Sequence, residues 1–269
     1  MSSAVLRVKY YNYVSKKVKH YHHCHQILFI TEGSAKIEIN DNLYEAKKGS
    51  LIIFSKFEQH SVSIIDGDYH RFVLEIDPDI LMNSGSSYGI VSVLFNRPAG
   101  FFNILDVSDR MEEFENIFSR MINEKEKNDF LSNDMLDILM QELLVLVCRR
   151  FPERFFEISE SNFHIVSEIQ YRFEREYEKD FSLNELSKEY NLSVSYLSHL
   201  FKEITGHSVM GYLLFCRIAA AKKYLAESDR SISRIVEKCG FSDFSNFSRT
   251  FKKLTGISPS EFRKKYNSQ

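Results

Sequence analysis

Leu197-Ser-His-Leu-Phe-Lys-Glu-Ile-Thr-Gly206 returns later in the chain as Phe247-Ser-Arg-Thr-Phe-Lys-Lys-Leu-Thr-Gly256, with five of ten positions identical. The residues before them match as well. Ser182-Leu-Asn-Glu-Leu-Ser-Lys-Glu-Tyr-Asn-Leu-Ser193 recurs as Ser231-Ile-Ser-Arg-Ile-Val-Glu-Lys-Cys-Gly-Phe-Ser242. Each copy contains the parts of a helix-turn-helix. A serine able to accept from a free helix amide (Ser182, Ser231) opens a short helix. Asn191 or Gly240, which tolerate left-handed backbone, closes it and forms the turn. A second polar cap, Ser193 or Asp243, starts the next helix. There Leu197, Phe201 and Ile204 share one side at i, i+4 and i+7, as do Phe247, Phe251 and Leu254 in the second copy. That apolar side anchors the helix to its neighbour.

The opposite side is polar. The first copy offers Ser195, Ser198, His199 and Lys202, and the second offers Ser245, Asn246, Arg249 and Lys253. Short polar residues beside an Arg or Asn suit the major groove, where Arg bridges guanine O6 and N7 and Asn bridges adenine N6 and N7. Between the copies, Val209–Ser228 reads as one long helix, which at 1.5 Å per residue holds the units roughly 30 Å apart. Successive major-groove segments on one face of DNA lie about 34 Å apart. The remaining helices expected after Phe163 are His164–Tyr177, Leu183–Tyr190, Val194–Thr205, Ile232–Cys239, Phe244–Thr255 and Pro259–Tyr266.

Charge divides along the same line. From Phe163 onward there are 17 Lys and Arg against 13 Asp and Glu, hence +4, while the rest carries 18 against 24, hence −6. A basic module behind an acidic one fits a nucleic-acid partner for the first only. At 269 residues with 43% hydrophobic residues, the chain reads as two globular domains. No apolar run is long enough to cross a membrane. The first residues lack the apolar core of a signal peptide. The cysteines Cys24, Cys148, Cys216 and Cys239 show no paired spacing, so a reducing, cytoplasmic setting is expected.

The front of the chain changes period. Ile27–Thr31, Ala35–Ile39, Leu51–Phe54 and Phe72–Ile76 are rich in β-branched and aromatic residues. Turn signals at Glu32-Gly33-Ser34, Asn40-Asp41-Asn42 and Lys48-Gly49 separate them. Short strands at this spacing predict a small barrel or sandwich. Two amphipathic helices follow: Ser108–Lys127, with Ser108 as cap and Met111, Phe114, Phe118, Met121 and Ile122 in its stripe, and Asn133–Arg150, with Leu136, Leu139, Met140, Leu143, Leu144 and Val147.

From about Ile165 to Tyr266 the chain resembles the DNA-binding domain of the AraC/XylS family of bacterial regulators. The stretch Gly240-Phe-Ser-Asp-Phe-Ser-Asn-Phe-Ser-Arg-Thr-Phe-Lys-Lys-Leu-Thr-Gly-Ile-Ser-Pro-Ser-Glu-Phe-Arg-Lys carries the resemblance almost unbroken. The resemblance implies that the second helix of each unit enters one of two adjacent major grooves, with Val209–Ser228 as a rigid spacer. It implies base readers at Ser195, Ser198 and His199 and at Ser245, Asn246 and Arg249, with Lys202 and Lys252 as further DNA contacts. His199 departs from the family's long basic residue. The resemblance further implies regulation of promoters, commonly activation through RNA polymerase.

His20-Tyr-His22-His23-Cys24-His25, with Gln26, Gly33, Gly49 and His60, resembles the two cupin motifs, in which His-x-His, a Glu and a later His ligate a metal. Here Gln26 stands in the Glu position, and Ser55 and Phe57 replace the usual Pro and Gly. A neutral amide is a poorer ligand than a carboxylate. His20, His22 and His60 could still converge on zinc or iron, line a metal-free pocket, or belong to a structural barrel. His23 and Cys24 alternate with His22 and His25, so these side chains should not all face inward.

The expected fold is therefore α+β in two domains. Residues 1–151 form a cupin-like β-barrel with two flanking helices, 152–162 a linker, and 163–269 an all-α domain with two helix-turn-helix units. The expected function is a promoter-binding regulator responding to a small-molecule effector at His20, His22, Gln26 and His60, without cofactor, assigned metal or catalytic residues. The regulator is expected to form a homodimer through the 108–150 helices. The competing reading is a metal-dependent cupin enzyme fused to a DNA-binding tail.

Overall fold

The computed structural model describes residues 6–12, 20–22, 24–39, 42–77, 88–95, 103–155 and 160–267. It divides into two compact units, Met1–Ile158 and Ser159–Gln269.

The first unit is built on a long antiparallel pair, β2 (His25–Ile39) and β5 (His60–Ile76), in register from His25↔Ile76 to Ile39↔His60. The register shifts between Ile30 and Ala35. Gly33 sits there at φ +76, and a Cβ on it would fall 2.1 Å from the Asp68 carbonyl oxygen, so only glycine fits this bulge. The segments expected as separate strands, Ile27–Thr31 and Ala35–Ile39, are thus one bulged strand. The turn signal at Glu32-Gly33-Ser34 is absorbed without breaking the pairing, and Phe72–Ile76 is the end of a much longer strand. Asn40 and Asp41 lie outside the described residues.

Shorter strands complete a six-stranded antiparallel sheet among the described residues. β1 (Leu6–Tyr11) pairs with β5, β3 (Asn42–Lys47) and β4 (Ser50–Phe54) with opposite halves of β2, and β6 (Ile104–Asp106) with β4. Alternation sorts the side chains to two faces. Leu28, Ile30, Ile37, Ile52, Phe54 and Tyr69 belong to one buried cluster. Phe29 faces the other way and meets Phe72, Phe114 and Phe118 at ring distances of 5.8–6.5 Å.

Phe114 and Phe118 come from α2 (Met111–Lys127), which covers that face. Ser108 is not its cap: Ser108–Arg110 forms a 3₁₀ turn, the helix starts at Met111 behind Arg110, and the Ser108 amide donates to Asp106 Oδ1. α3 (Ser132–Arg150) packs against α2 and against α1 (Tyr88–Phe95), a helix absent from the sequence reading. Leu136, Leu139, Met140, Leu143, Leu144 and Val147 are all buried inside this unit. That stripe needs no second copy of the chain to cover it. What stays exposed is a different set at the α2–α3 junction: Phe130, Leu131, Met135 and Ile138.

Phe155 is fully buried in the first unit, and α4 (Glu160–Arg175) begins inside the stretch expected as linker. Residues 156–159 lie outside the description. The second unit continues with α5 (Leu183–Glu189), α6 (Val194–Thr205), α7 (Val209–Glu227), α8 (Ile232–Lys238), α9 (Phe244–Thr255) and α10 (Pro259–Asn267). α7 is its spine. Tyr212, in its first half, meets Phe201 of α6 edge-on at 5.7 Å and donates to Glu174 of α4 at 2.7 Å. Ile218, Ala221 and Leu225, further along, form one core with Ile235, Val236, Cys239, Phe247, Phe251 and Phe262. Among the described residues no single helix is long and apolar enough to cross a membrane.

Candidate nucleic-acid interface and front-domain histidine cluster

The sequence repeat reappears as a repeat of hydrogen bonds. Ser182 and Ser193 Oγ accept from the amides of Glu185 and Tyr196, each at 3.1 Å. In the second copy Ser231 Oγ accepts from Arg234, and Asp243 Oδ1 from Asn246 at 2.7 Å. Asn191 and Gly240 both carry the left-handed turn, at φ 54 and 74. α6 and α9 end alike: Thr205 and Thr255 donate to the carbonyls of Phe201 and Phe251, followed by the left-handed Gly206 and Gly256. Local chemistry therefore marks the ends of the helices in both units in the same way.

Packing then determines which residues face outward. Leu197, Phe201 and Ile204 are buried in the first unit, and Phe247 and Phe251 in the second, while Leu254 is half-buried. Ser195, His199 and Lys202 on α6 are exposed, as are Ser245, Asn246, Arg249 and Lys252 on α9. Ser198 is half-buried, at the shoulder of its helix. His199 Nδ1 lies 3.6 Å from Glu203 Oε2 one turn on. Sequence reasoning missed Val194 and Phe244, the first residues after the two caps, both exposed despite being apolar. Their matched positions in the repeat were the available signal, and a thymine methyl is the base feature such side chains can meet.

A second missed residue joins the copies. Arg217, on α7, donates to the carbonyls of Tyr177 and Lys179, both at 2.8 Å, and its guanidinium lies over the Phe241 ring. The segment just ahead of the first unit is thereby tied to the turn of the second. Burial lowers the Arg217 pKa, while the facing Asp180 carboxylate opposes that shift.

In the first unit of the chain, the structure brings together His20, His22 and His60, with one ring nitrogen from each within 4.8 Å of the others. Backbone bonds hold them there: His20 and His60 exchange N–H···O bonds at 2.9 and 2.8 Å, and Phe57 N donates to His22 O. His60 is buried and stacks on Phe54 at 3.9 Å. Gln26 is not in the cluster, since its amide donates to Glu75 Oε1 at 3.0 Å across the β2–β5 pair. His25 lies elsewhere, its ring against Phe95. His23 falls outside the described residues.

The sequence matches the AraC-like ligand binding domain family over residues 2–144 and a helix-turn-helix domain family over residues 186–265. The chain belongs to the AraC family. Its relatives are regulators. The Msm operon regulatory protein of Streptococcus mutans is 26% identical, covering 88% of this chain and 83% of that protein. The transcriptional regulator YtdP of Bacillus subtilis is 28% identical over 165 residues, 61% of this chain. The chain spans only 20% of YtdP and 31% of a Staphylococcus aureus regulator that it also matches. Among solved structures, ToxT from Vibrio cholerae has the same two-domain fold, with a TM-score of 0.63 at 15% identity, covering 98% of this chain and 99% of that one.

This AraC-family chain thus combines an antiparallel-sheet ligand-binding domain with a DNA-binding domain of the helix-turn-helix type. α6 and α9 lie within the helix-turn-helix match, and His20, His22 and His60 lie within the other match.

Proposed function

We propose that the protein is a signal-responsive transcription activator whose α6 and α9 enter adjacent major-groove segments of promoter DNA. The supporting observation is the doubled unit, with matching caps, turns and cores and an outward polar face on each copy. α7, at 19 residues and roughly 28 Å, is close to the groove repeat of about 34 Å. Arg249 and Asn246 are the base readers of the second unit, and Ser195, Ser198 and His199 those of the first. Lys202 and Lys252 contact phosphates. The histidine site of the sheet domain receives the effector. RNA polymerase is the downstream partner, which places the action in the cytoplasm. Two copies pair through the 108–150 helices, where Phe130, Leu131, Met135 and Ile138 form the remaining apolar surface.

The test is binding to DNA upstream of the gene and of its neighbours, read by fluorescence anisotropy. Arg249→Ala should cost about 1–3 kcal/mol of specific binding. Lys252→Ala should weaken all sequences alike and lower the salt slope by about 0.9. Unchanged binding in Arg249→Ala would remove α9 as the reading helix.

A further inference from the structure

We infer that His20, His22 and His60 form a three-imidazole site for a divalent transition-metal ion of the zinc class, and that its occupation is a signal the regulator responds to. This deepens the proposed sensing role of the sheet domain and rests on it. The first argument is geometric. A tetrahedral ion with metal–nitrogen bonds of 2.0–2.1 Å sets its ligand nitrogens about 3.3–3.4 Å apart. His20 Nε2 and His22 Nε2 are already 3.1 Å apart, and the His60 nitrogen lies within 4.8 Å of both. Side-chain movement of up to about 1.5 Å closes the set.

The second argument is the proton on His60. Its Nδ1 faces the Glu58 carbonyl oxygen at 2.9 Å. A carbonyl only accepts, so Nδ1 carries the hydrogen and Nε2 holds the lone pair. A ring held in this way by a backbone carbonyl is what orients a metal-ligating histidine. The carbonyl is itself fixed. Glu58 ends a tight turn in which its carboxylate accepts from the Ser55 amide and from Asn103 Nδ2, both at 2.9 Å. Phe57 in that turn has φ +63, a left-handed conformation costly for a bulky residue, and it donates its amide to His22. Strain kept beside a cluster of ligating groups is a mark of a functional site.

The third argument is the donor set. Two carboxylates of the same unit are otherwise engaged: Glu75 accepts from Gln26, and Glu58 holds its turn. Three neutral imidazoles remain, which suit zinc, nickel, copper or iron(II) over magnesium or calcium. They leave a fourth position for water or a small anion. Loading would also pin the 20–22 segment to β5, through side chains as well as the backbone bridge that already joins His20 to His60.

The experiment titrates zinc into the full chain against a chromophoric chelator, with folding checked by circular dichroism. The expected result is one equivalent bound by wild type and by His164→Ala, an exposed histidine in the other unit. His22→Ala and His60→Ala should each lose more affinity than the roughly 10–100-fold typical of losing an outer-shell partner. His22→Asn serves where alanine perturbs the fold, and cobalt(II) should give the intense visible bands of a four-coordinate ion in wild type and His164→Ala but not in the His22 and His60 variants. Equal zinc affinity in wild type and the variants would overturn the site. Promoter affinity, measured with and without zinc, separates the layers. A zinc response lost in His22→Asn supports the signalling role. Zinc bound with no change in DNA affinity overturns the signalling role. Failure of zinc to bind with DNA binding intact removes this inference and leaves the regulator reading standing.

Discussion

Gly240→Ala is the sharpest test of how the second helix-turn-helix is held. Gly240 turns the chain between α8 and α9 at φ 74, and a Cβ there would lie 2.8 Å from Glu178 O and 2.9 Å from both Tyr177 O and Arg217 Nε. Left-handed backbone costs a residue with a Cβ about 1–2 kcal/mol. The crowding adds to this. Two of the three neighbours are main-chain oxygens, and the third is fixed by its 2.8 Å bond to Tyr177 O. None can yield by a simple rotamer change, and over-packing of this kind costs about 1–3 kcal/mol. Loss of freedom in the unfolded chain returns about 0.4–1 kcal/mol. The net expectation is a loss of about 1–4.5 kcal/mol. Urea unfolding of the full chain reads it as a fall in midpoint at unchanged slope. The matched control is Asn191→Gly, which keeps the left-handed turn of the first unit at φ 54 and should stay within about 0.5 kcal/mol of wild type. Should Gly240→Ala prove as stable as that control, the close junction with Arg217 and the Tyr177–Glu178 backbone is not what fixes the turn.

Two further outcomes follow from charge and burial. Glu203→Lys, which removes the carboxylate 3.6 Å from His199, should strengthen binding to any duplex and steepen the salt dependence by about one to two units of slope, read by anisotropy across a salt series. Burial pushes the Cys239 thiol up to about 12 and Cys148 up to about 11. Both should therefore resist alkylation at pH 8 until the chain unfolds. Their folded pKa values exceed the unfolded ones, so their contribution is fully present below about pH 8.5 and is lost as pH rises toward 11–12. Cys239→Ala should lessen the alkaline fall in urea midpoint.

The sequence was most legible where structure is decided within a few residues. Both ends of Val194–Thr205 and Phe244–Thr255 match the observed helices, because a capping oxygen and a left-handed glycine mark them locally. The sheet domain was less legible because its decisions are long-range. Gly33 reads as a turn in isolation, yet pairing with β5 makes it a bulge inside one strand. The Leu136–Val147 stripe is covered in part by α1, a short helix rich in the β-branched Ile90, Val91 and Val93, which in isolation read as strand. The site divides in the same way. His20 and His22 share a side by alternation, whereas their meeting with His60 depends on a bridge across forty residues. Gln26 was assigned by position in a motif, and its true partner Glu75 lies opposite it in a register that only folding reveals.

The two helix-turn-helix copies agree in scaffold and differ in what they present. Phe201/Phe251, Thr205/Thr255 and Gly206/Gly256 are identical and make the same helix-end hydrogen bonds. So are Ser195/Ser245 and Lys202/Lys252 on the outer face. On the outer face the differences include four matched positions: Val194 against Phe244, Tyr196 against Asn246, His199 against Arg249, and Glu203 against Lys253. The α9 face carries Arg249, Lys252 and Lys253, while on α6 the Glu203 carboxylate stands against Lys202. In the proposed DNA complex, phosphate attraction, which supplies most of the sequence-independent affinity, would therefore come mainly from the second unit. The first unit would supply less electrostatic grip and depend more on direct fit to the bases before it. An ion or ligand that alters promoter occupancy would have most leverage through the weaker of two coupled contacts, because the stronger one holds the protein on DNA in either state.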